Sequence, residues 1–255
     1  MKHSRAITMT STGLKLTFAA ALLATVAAPA LADETPDYGS ISGYLAVESD
    51  YRYRGISQNN TELTPEGSLN WTGPMGFYAG TWLARTDWGA KNPGFEMDIY
   101  GGKHFDLAGT DLNIEAYYYS YPDYDAHGGP KASYFEMMGI LSHTFDKLTL
   151  SLTGAYSPEW SLEGGTGWYG AGTASYALTD WLSLSGTVGH QSVELAPADY
   201  WHWDVGFTAV YKSFSLDVRY VGNDIKSADA GFWMATKDAT KDTVKVNLTY
   251  NFSLL

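Results

Sequence analysis

The sequence predicts an all-β chain: a transmembrane antiparallel up-and-down β-barrel of about twelve strands, with short periplasmic turns and longer extracellular loops. Three observations carry that reading. The stretch Thr243 to Phe252 alternates without a fault: Val244, Val246, Leu248, Tyr250 and Phe252 are apolar or aromatic, while Lys245, Asn247, Thr249 and Asn251 are polar. Successive strand side chains point to opposite faces, so one face of this segment suits lipid and the other water. The same alternation recurs upstream, and the connections between the runs are by turns tight and long. Tyrosine and tryptophan, 19 and 9 of the 255 residues, gather near both ends of the runs, as they do at the two surfaces of a membrane.

A leader precedes the first strand. Lys2, Arg5 and Lys15 make a basic start, Leu16 to Ala28 is an apolar, alanine-rich core, and Ala30-Leu31-Ala32 fits the small-x-small cleavage rule. Residues 1–32 therefore read as a signal peptide cleaved at Ala32/Asp33, and 33–255 as the barrel. Cleavage leaves 13 basic against 28 acidic residues, a formal charge of −15, which argues against a nucleic-acid partner. The chain has no cysteine; a barrel closed by inter-strand hydrogen bonds needs no disulfide. No stretch after residue 32 approaches the roughly 20 apolar residues of a spanning helix, so any crossing uses strands.

Each strand follows from its own alternation. The first covers Ile41 to Arg54, with Leu45, Val47, Tyr51 and Tyr53 outward and Glu48, Asp50, Arg52 and Arg54 inward. The second, Glu62 to Thr72, sets Leu63, Leu69 and Trp71 against Glu62, Thr64, Glu66, Ser68 and Asn70. In the third, Phe77 to Trp88, both faces are partly apolar, and Arg85 and Asp87 mark the wet one. The fourth opposes Phe95, Met97 and Ile99 to Glu96, Asp98 and Tyr100; the fifth opposes Leu112, Ile114 and Ala116 to Asn113, Glu115 and Tyr117. In the sixth, Ser133 to Thr144, Glu136 places Tyr134, Glu136 and Ser142 inward. The seventh sends Leu148, Leu150 and Leu152 outward, and the eighth, Trp168 to Leu178, is glycine-rich and weakly patterned. The ninth opposes Leu182, Leu184 and Val188 to Ser183, Ser185 and Thr187. The tenth sets Trp201, Trp203, Val205, Phe207 and Ala209 against His202, Asp204 and Thr208. The eleventh sets Phe214, Leu216, Val218 and Tyr220 against Ser215, Asp217 and Arg219; the twelfth is the closing stretch.

Gly73-Pro74-Met75, Asp106 to Asp111, Asp146-Lys147, Thr179-Asp180 and Lys212-Ser213 are the tight links. Gly55 to Asn60, Gly89 to Pro93, Tyr121 to Ala132, Pro158 to Gly167, Ser192 to Asp199 and Asn223 to Asp242 are the long ones. Outer-membrane barrels keep short turns in the periplasm and long loops outside, which orients the chain. Trp71, Tyr78, Tyr176, Trp181, Tyr211 and Phe214 fall at the short-turn end; Tyr51, Trp88, Tyr118, Trp201 and Tyr220 fall at the other. These form two expected belts.

The wording SDYRYRGISQ at Ser49 to Gln58 and GFYAGTW at Gly76 to Trp82, with the leader and the closing aromatic strand, resembles the TorF-type porins of proteobacteria. That resemblance spans most of the mature chain in pattern and its first hundred residues in wording. It implies an outer-membrane channel. The barrel reading itself expects hand-over to the barrel-assembly machinery, outer-membrane lipid around the chain and passive diffusion of small hydrophilic solutes. Such barrels usually finish on an aromatic residue, whereas here Ser253, Leu254 and Leu255 follow Phe252.

The pore-lining candidates are Glu48, Asp50, Arg52, Arg54, Glu62, Glu66, Arg85, Asp87, Glu96, Asp98, Glu115, Asp204, Asp217 and Arg219, with Glu136 and Lys245 beside them. Carboxylates outnumber basic groups in this set, so a weakly cation-selective passage is expected. The group Glu48, Asp50, Arg52 and Arg54 reads either as a charged constriction or as a lining whose ions pair with one another. His104, His127, His143, His190 and His202 are scattered singly and give neither a metal-ligand pair nor a cofactor site. His190 and Ser192 near His202 are the one hint of a Ser–His arrangement, and Gly-x-Ser-x-Gly is absent, so no catalytic residue is assigned. Gly128-Gly129-Pro130 and Gly164 to Gly167 open no helix and read as loop tips. The Asn-x-Ser/Thr triplets at Asn59, Asn70, Asn247 and Asn251 are chance matches. The sequence leaves open a barrel enzyme acting on lipid and a plugged barrel that conducts nothing.

Overall fold

Alternating segments pair edge to edge until the sheet meets itself. The computed structural model describes residues 38–89, 93–127, 129–233 and 238–254. Its strands are β1 (Ser40–Glu48), β2 (Arg52–Tyr53), β3 (Ile56–Ser57), β4 (Thr64–Thr72), β5 (Phe77–Thr86), β6 (Gly94–Leu107) and β7 (Thr110–Ser120). They continue with β8 (Tyr134–Phe145), β9 (Leu148–Ser157), β10 (Gly167–Ala177), β11 (Leu182–Val193), β12 (Tyr200–Tyr211), β13 (Phe214–Asn223) and β14 (Thr243–Ser253). All but β2 and β3 form one closed antiparallel barrel of twelve strands. Closure is made by β1 against β14, in register from Ser42↔Ser253 to Glu48↔Asn247, while β1 pairs β4 on its other side. No barrel strand keeps a bare edge, which is what a sheet surrounded by lipid requires.

The outer face is apolar: Leu45, Leu152, Val188, Val205, Val244 and Leu248 all stand exposed. A water-soluble protein does not leave so continuous an apolar surface bare; lipid is the solvent this face suits. Among the described residues no helix is long and apolar enough to cross a membrane. Tight turns gather at one rim, such as Asp106↔Asp111 closing over Ala108 and Gly109, and the long links gather at the other. A short helix, α1 (Pro122–Ala126), lies in the long link after β7. Trp71, Tyr176, Trp181, Tyr211 and Phe214 are exposed near the short-turn rim, and Tyr118, Trp168, Trp201 and Tyr220 near the long-loop rim.

Two expectations fail. The first strand does not run to Arg54. It ends at Glu48, and the chain turns into the barrel as the β2–β3 hairpin. Tyr51, Tyr53 and Trp88 therefore do not face lipid: Tyr51 and Trp88 are buried, and Tyr53 packs beneath the aromatic cluster of the mouth. Tyr78 likewise turns inward, where its hydroxyl donates to Asn113 at 2.9 Å. In β5 the phase is opposite to the one Arg85 suggested. Tyr78, Trp82, Ala84 and Thr86 point inward, and Arg85 leaves the outer side at the long-loop rim, paired with Glu62 at 3.0 Å and Asp87 at 3.4 Å. Residues 1–37, with the cleavage site, lie outside the described residues, as do parts of the links at 89–93, 121–132 and 223–242.

Candidate functional site

Whatever this barrel does for solutes happens in its lumen, and the lumen is divided. At the long-loop half the inserted hairpin fills it. Arg54 and Gly55 both take positive φ, 47° and 85°, and link Tyr53 to Ile56 in a two-residue turn of the type that suits a twisted hairpin. Gly55 is needed there on two counts: its φ is left-handed, and a Cβ would sit 2.8 Å from the Cβ of His202 on the far wall.

Arg54 is the anchor. Its guanidinium grips Glu136 of β8 with two parallel bonds, Nη1 to Oε1 at 3.0 Å and Nη2 to Oε2 at 2.7 Å, and also donates to Gln191 of β11. It lies over the rings of Tyr169 and Tyr53, at 3.9 and 4.7 Å. Bidentate pairing fixes the position of the tip as well as its charge. The hairpin also accepts a bond from Asn223 of β13 on the carbonyl of Gly55, at 3.0 Å. Behind the tip, Arg52 pairs with Asp50 at 2.7 Å and donates to the carbonyl of Lys241, and the Ser57 hydroxyl donates to Asp50. Tyr51 donates to Glu96 at 3.1 Å, and the Tyr53 hydroxyl lies 3.1 Å from both the Tyr119 hydroxyl and the Glu136 carboxylate. Trp88, Tyr119, Tyr121, Tyr134, Trp160 and Val193 pack around it.

The short-turn half is different. Inward positions there are mostly hydroxyl, amide or carboxylate; Ser142, Thr149 and Thr173 are partly exposed, and Ser151 and Thr187 are buried. The β8–β11 wall carries Ser142, Ser151, Thr149, Thr173 and Thr187, cross-bonded in pairs such as Ser142–Ser151 and Thr173–Thr187. The β12–β14 wall carries Arg219 between Asp217, at 3.0 Å, and Asp204, while nearer the long loops Lys245 reaches Glu48 at the end of β1. The β4–β7 wall carries Glu115 near mid-strand with a run of tyrosines, and Glu66, Glu96 and Asp98 toward the long loops, where Tyr51 bonds Glu96; among the described residues none of the four forms an arginine ion pair.

The candidates thus fall into three places. Asp50, Arg52 and Arg54 are in the lumen on the hairpin, not on a barrel strand. Glu48, Glu66, Glu96, Asp98, Glu115, Asp204, Asp217 and Arg219 line the wall from strands. Glu62, Arg85 and Asp87 form the cluster at the rim. The Ser–His hint dissolves: His190 and His202 sit on opposite faces of the sheet, the first packed on Trp201 and the second accepting or donating with Tyr169. Gln191, which the sequence reading did not single out, is fully buried at the anchor. No local pattern could have marked it; its partner stands 137 positions away.

Closed sheet, lipid-suited exterior and polar lumen define a transmembrane β-barrel fold of the kind that outer-membrane proteins have. The chain belongs to the family described as "Bacterial protein of unknown function (Gcw_chp)", whose model matches residues 32–252. That description does not name TorF-type porins. No curated protein matches the chain. The barrel is similar to the COG4313 outer membrane channel from Pseudomonas putida F1, with 11% identity, 87% of this chain and 97% of that one covered, and a TM-score of 0.50. It is similar to the same degree, TM-score 0.50, to a structure from a study of the in-meso crystallization of membrane proteins, with 8% identity and 84% of each chain covered. At such identities the likeness concerns the fold alone.

Proposed function

We propose that this protein is an outer-membrane channel for passive diffusion of small hydrophilic solutes or ions, weakly cation-selective, whose passage is set by the inserted hairpin. The observation that carries the proposal is the divided lumen: a hydroxyl- and carboxylate-lined half leads to a narrow half anchored by Arg54. A water-filled path needs a polar lining along its length and a constriction where selection occurs. The excess of inward carboxylates biases the field toward cations. The TorF-type wording of residues 49–58, which is the hairpin itself, supports the same reading. A second reading has a specific observation behind it: a hairpin held on several walls can close the barrel altogether and leave a structural, non-conducting protein. Among the described residues the Ser–His pair that would favour chemistry on lipid does not come together.

Conductance across planar bilayers separates these. The mature chain is expected to pass current, with a reversal potential favouring cations in a salt gradient and a preference that shrinks at high ionic strength. A variant with residues 50–59 replaced by a glycine–serine linker is expected to pass several-fold more. A silent parent with a conducting variant supports the plugged barrel. Silence in both defeats the channel reading.

A further inference from the structure

We infer that the β4–β7 wall of the lumen is a binding site for a small organic ammonium ion. The inference rests on the channel reading only in placing the site on a solute's path.

The argument begins with charge pairing. Elsewhere in the lumen each inward carboxylate has a basic partner: Asp50 has Arg52, Glu136 has Arg54, Asp204 and Asp217 share Arg219, and Glu48 has Lys245. On the β4–β7 wall Glu66, Glu96, Asp98 and Glu115 form no ion pair among the described residues. They have only neutral donors: Asn247 on Glu66 at 3.0 Å, Tyr51 on Glu96 at 3.1 Å, Tyr117 on Asp98 at 3.0 Å and Asn113 on Glu115 at 3.4 Å. A buried anion without a counter-charge is expensive, and a cation is the partner that would relieve it.

A second observation is independent of the charges. One carboxylate oxygen of Asp98, Oδ1, is buried with no hydrogen-bond partner, and so is the hydroxyl of Tyr44. Both residues face the lumen in one row, which the register carries from Tyr44 to Ser68, Ser68 to Trp82 and Trp82 to Asp98. The unfilled acceptor on Asp98 is what an N–H-bearing cation would use.

Ring placement selects the kind of cation. Tyr100 and Tyr117 stack at 5.0 Å and 5°, and Tyr51 stands edge-on to Trp82 at 5.1 Å. Gly80 makes room for this arrangement, since a Cβ there would come within 2.6 Å of the Tyr100 ring. Aromatic rings beside carboxylates suit an ammonium with an organic body, whose charge meets the acids while its carbons meet the rings. A metal ion is the poorer fit: among the described residues no group of three or more His, Cys, Asp or Glu side chains is placed to hold one.

The test is calorimetric titration of the refolded mature barrel in detergent at low salt, with spermidine as the probe and Mg2+ as the comparison. Spermidine is expected to bind, with Mg2+ a poor competitor. Glu66→Gln with Asp98→Asn should weaken spermidine by about tenfold or more, while Asp180→Asn at an exposed turn changes nothing. Tyr100→Leu with Tyr117→Leu keeps every charge and should weaken spermidine several-fold without altering Mg2+; this pair also serves if the acid variant does not refold. Absence of binding by the parent would overturn the site. So would Mg2+ binding as well as spermidine, or tyrosine variants that behave like the parent. Current without spermidine binding defeats the site alone, whereas binding without current defeats the channel reading alone.

Discussion

The two halves of the lumen are built on the same twelve strands and differ in what enters from the loops. At the short-turn half the strands supply the whole lining, and alternation leaves water-facing hydroxyls and acids. At the long-loop half the wall is covered by a hairpin that brings its own charges, two tyrosines and an isoleucine. The wall there answers with partners on β8, β11 and β13. The comparison teaches that strand pattern fixes the tube, while the bore is fixed by a segment that is not part of the tube. Each experiment below either breaks that division or sharpens it.

The largest effect is expected at the anchor. Arg54 and Glu136 keep only 4% and 1% of their side-chain surface exposed. Removing one partner strands the other charge, and Glu136→Ala should cost about 3–5 kcal/mol of stability. Arg54→Met with Glu136→Leu removes both charges and fills the space, and should stay within about 1–2 kcal/mol of the parent. Both variants should conduct more, because the hairpin tip has lost its hold. Urea unfolding in lipid vesicles gives the stabilities, and bilayer recordings give the currents. Equal stability losses for the single and double variants would mean that packing, not the ion pair, holds the hairpin.

A smaller effect separates inside from outside and one half from the other. Val205 faces lipid on β12, so Arg there should cost about 2–4 kcal/mol at mid-membrane. Thr208, three positions on, faces the lumen of the short-turn half, where its hydroxyl donates to Asp217 at 2.6 Å. Arg at 208 points into the lumen beside that carboxylate, and should cost less than Arg at 205. Thr86 also faces inward but is fully buried in the sealed half, so Arg at 86 should cost about 1–3 kcal/mol through overpacking alone. Equal penalties at 86 and 208 would erase the difference between the halves. Equal penalties at 205 and 208 would overturn the phase of β12.

Most of the tube was legible in the sequence. In β6, Phe95, Met97 and Ile99 alternate with Glu96 and Asp98, and the structure keeps that phase. What defeats the pattern is physical. In residues 49–54 the alternation is genuine, but both faces meet protein, and period-two patterning is blind to whether an apolar face meets lipid or an aromatic wall. The Arg54-Gly55 dipeptide is the only local sign of a tight turn. In β5 the inward face is itself apolar, with Tyr78, Trp82 and Ala84, so a single exposed arginine at the rim outweighed it. The inward placing of Glu66, Glu96, Asp98 and Glu115 was readable residue by residue. Their lack of a basic partner was not, because pairing inside a barrel joins strands far apart in sequence, as Lys245 joins Glu48.

The smallest effect tests whether the seal lies in the lumen or above it. Beyond β11, Glu194 accepts from the backbone N–H and the hydroxyl of Thr166, both at 3.0 Å, and so ties two of the long links together at the rim. The N–H first and the hydroxyl second hold the Glu194 carboxyl below the ordinary carboxylate range. A carboxyl lowered in the folded state contributes its stability above its unfolded value and loses it as pH falls through the folded one. Protection of the Thr166 amide against hydrogen exchange should therefore fall in acid for the parent, and should be low and flat with pH in Glu194→Gln. The contact is solvent-exposed and screened, so conductance should be the same in parent and variant. If Glu194→Gln alone raised the current to the level of the Arg54 and Glu136 variants, the barrier would belong to the outer loops, and the hairpin would be filling and not gate.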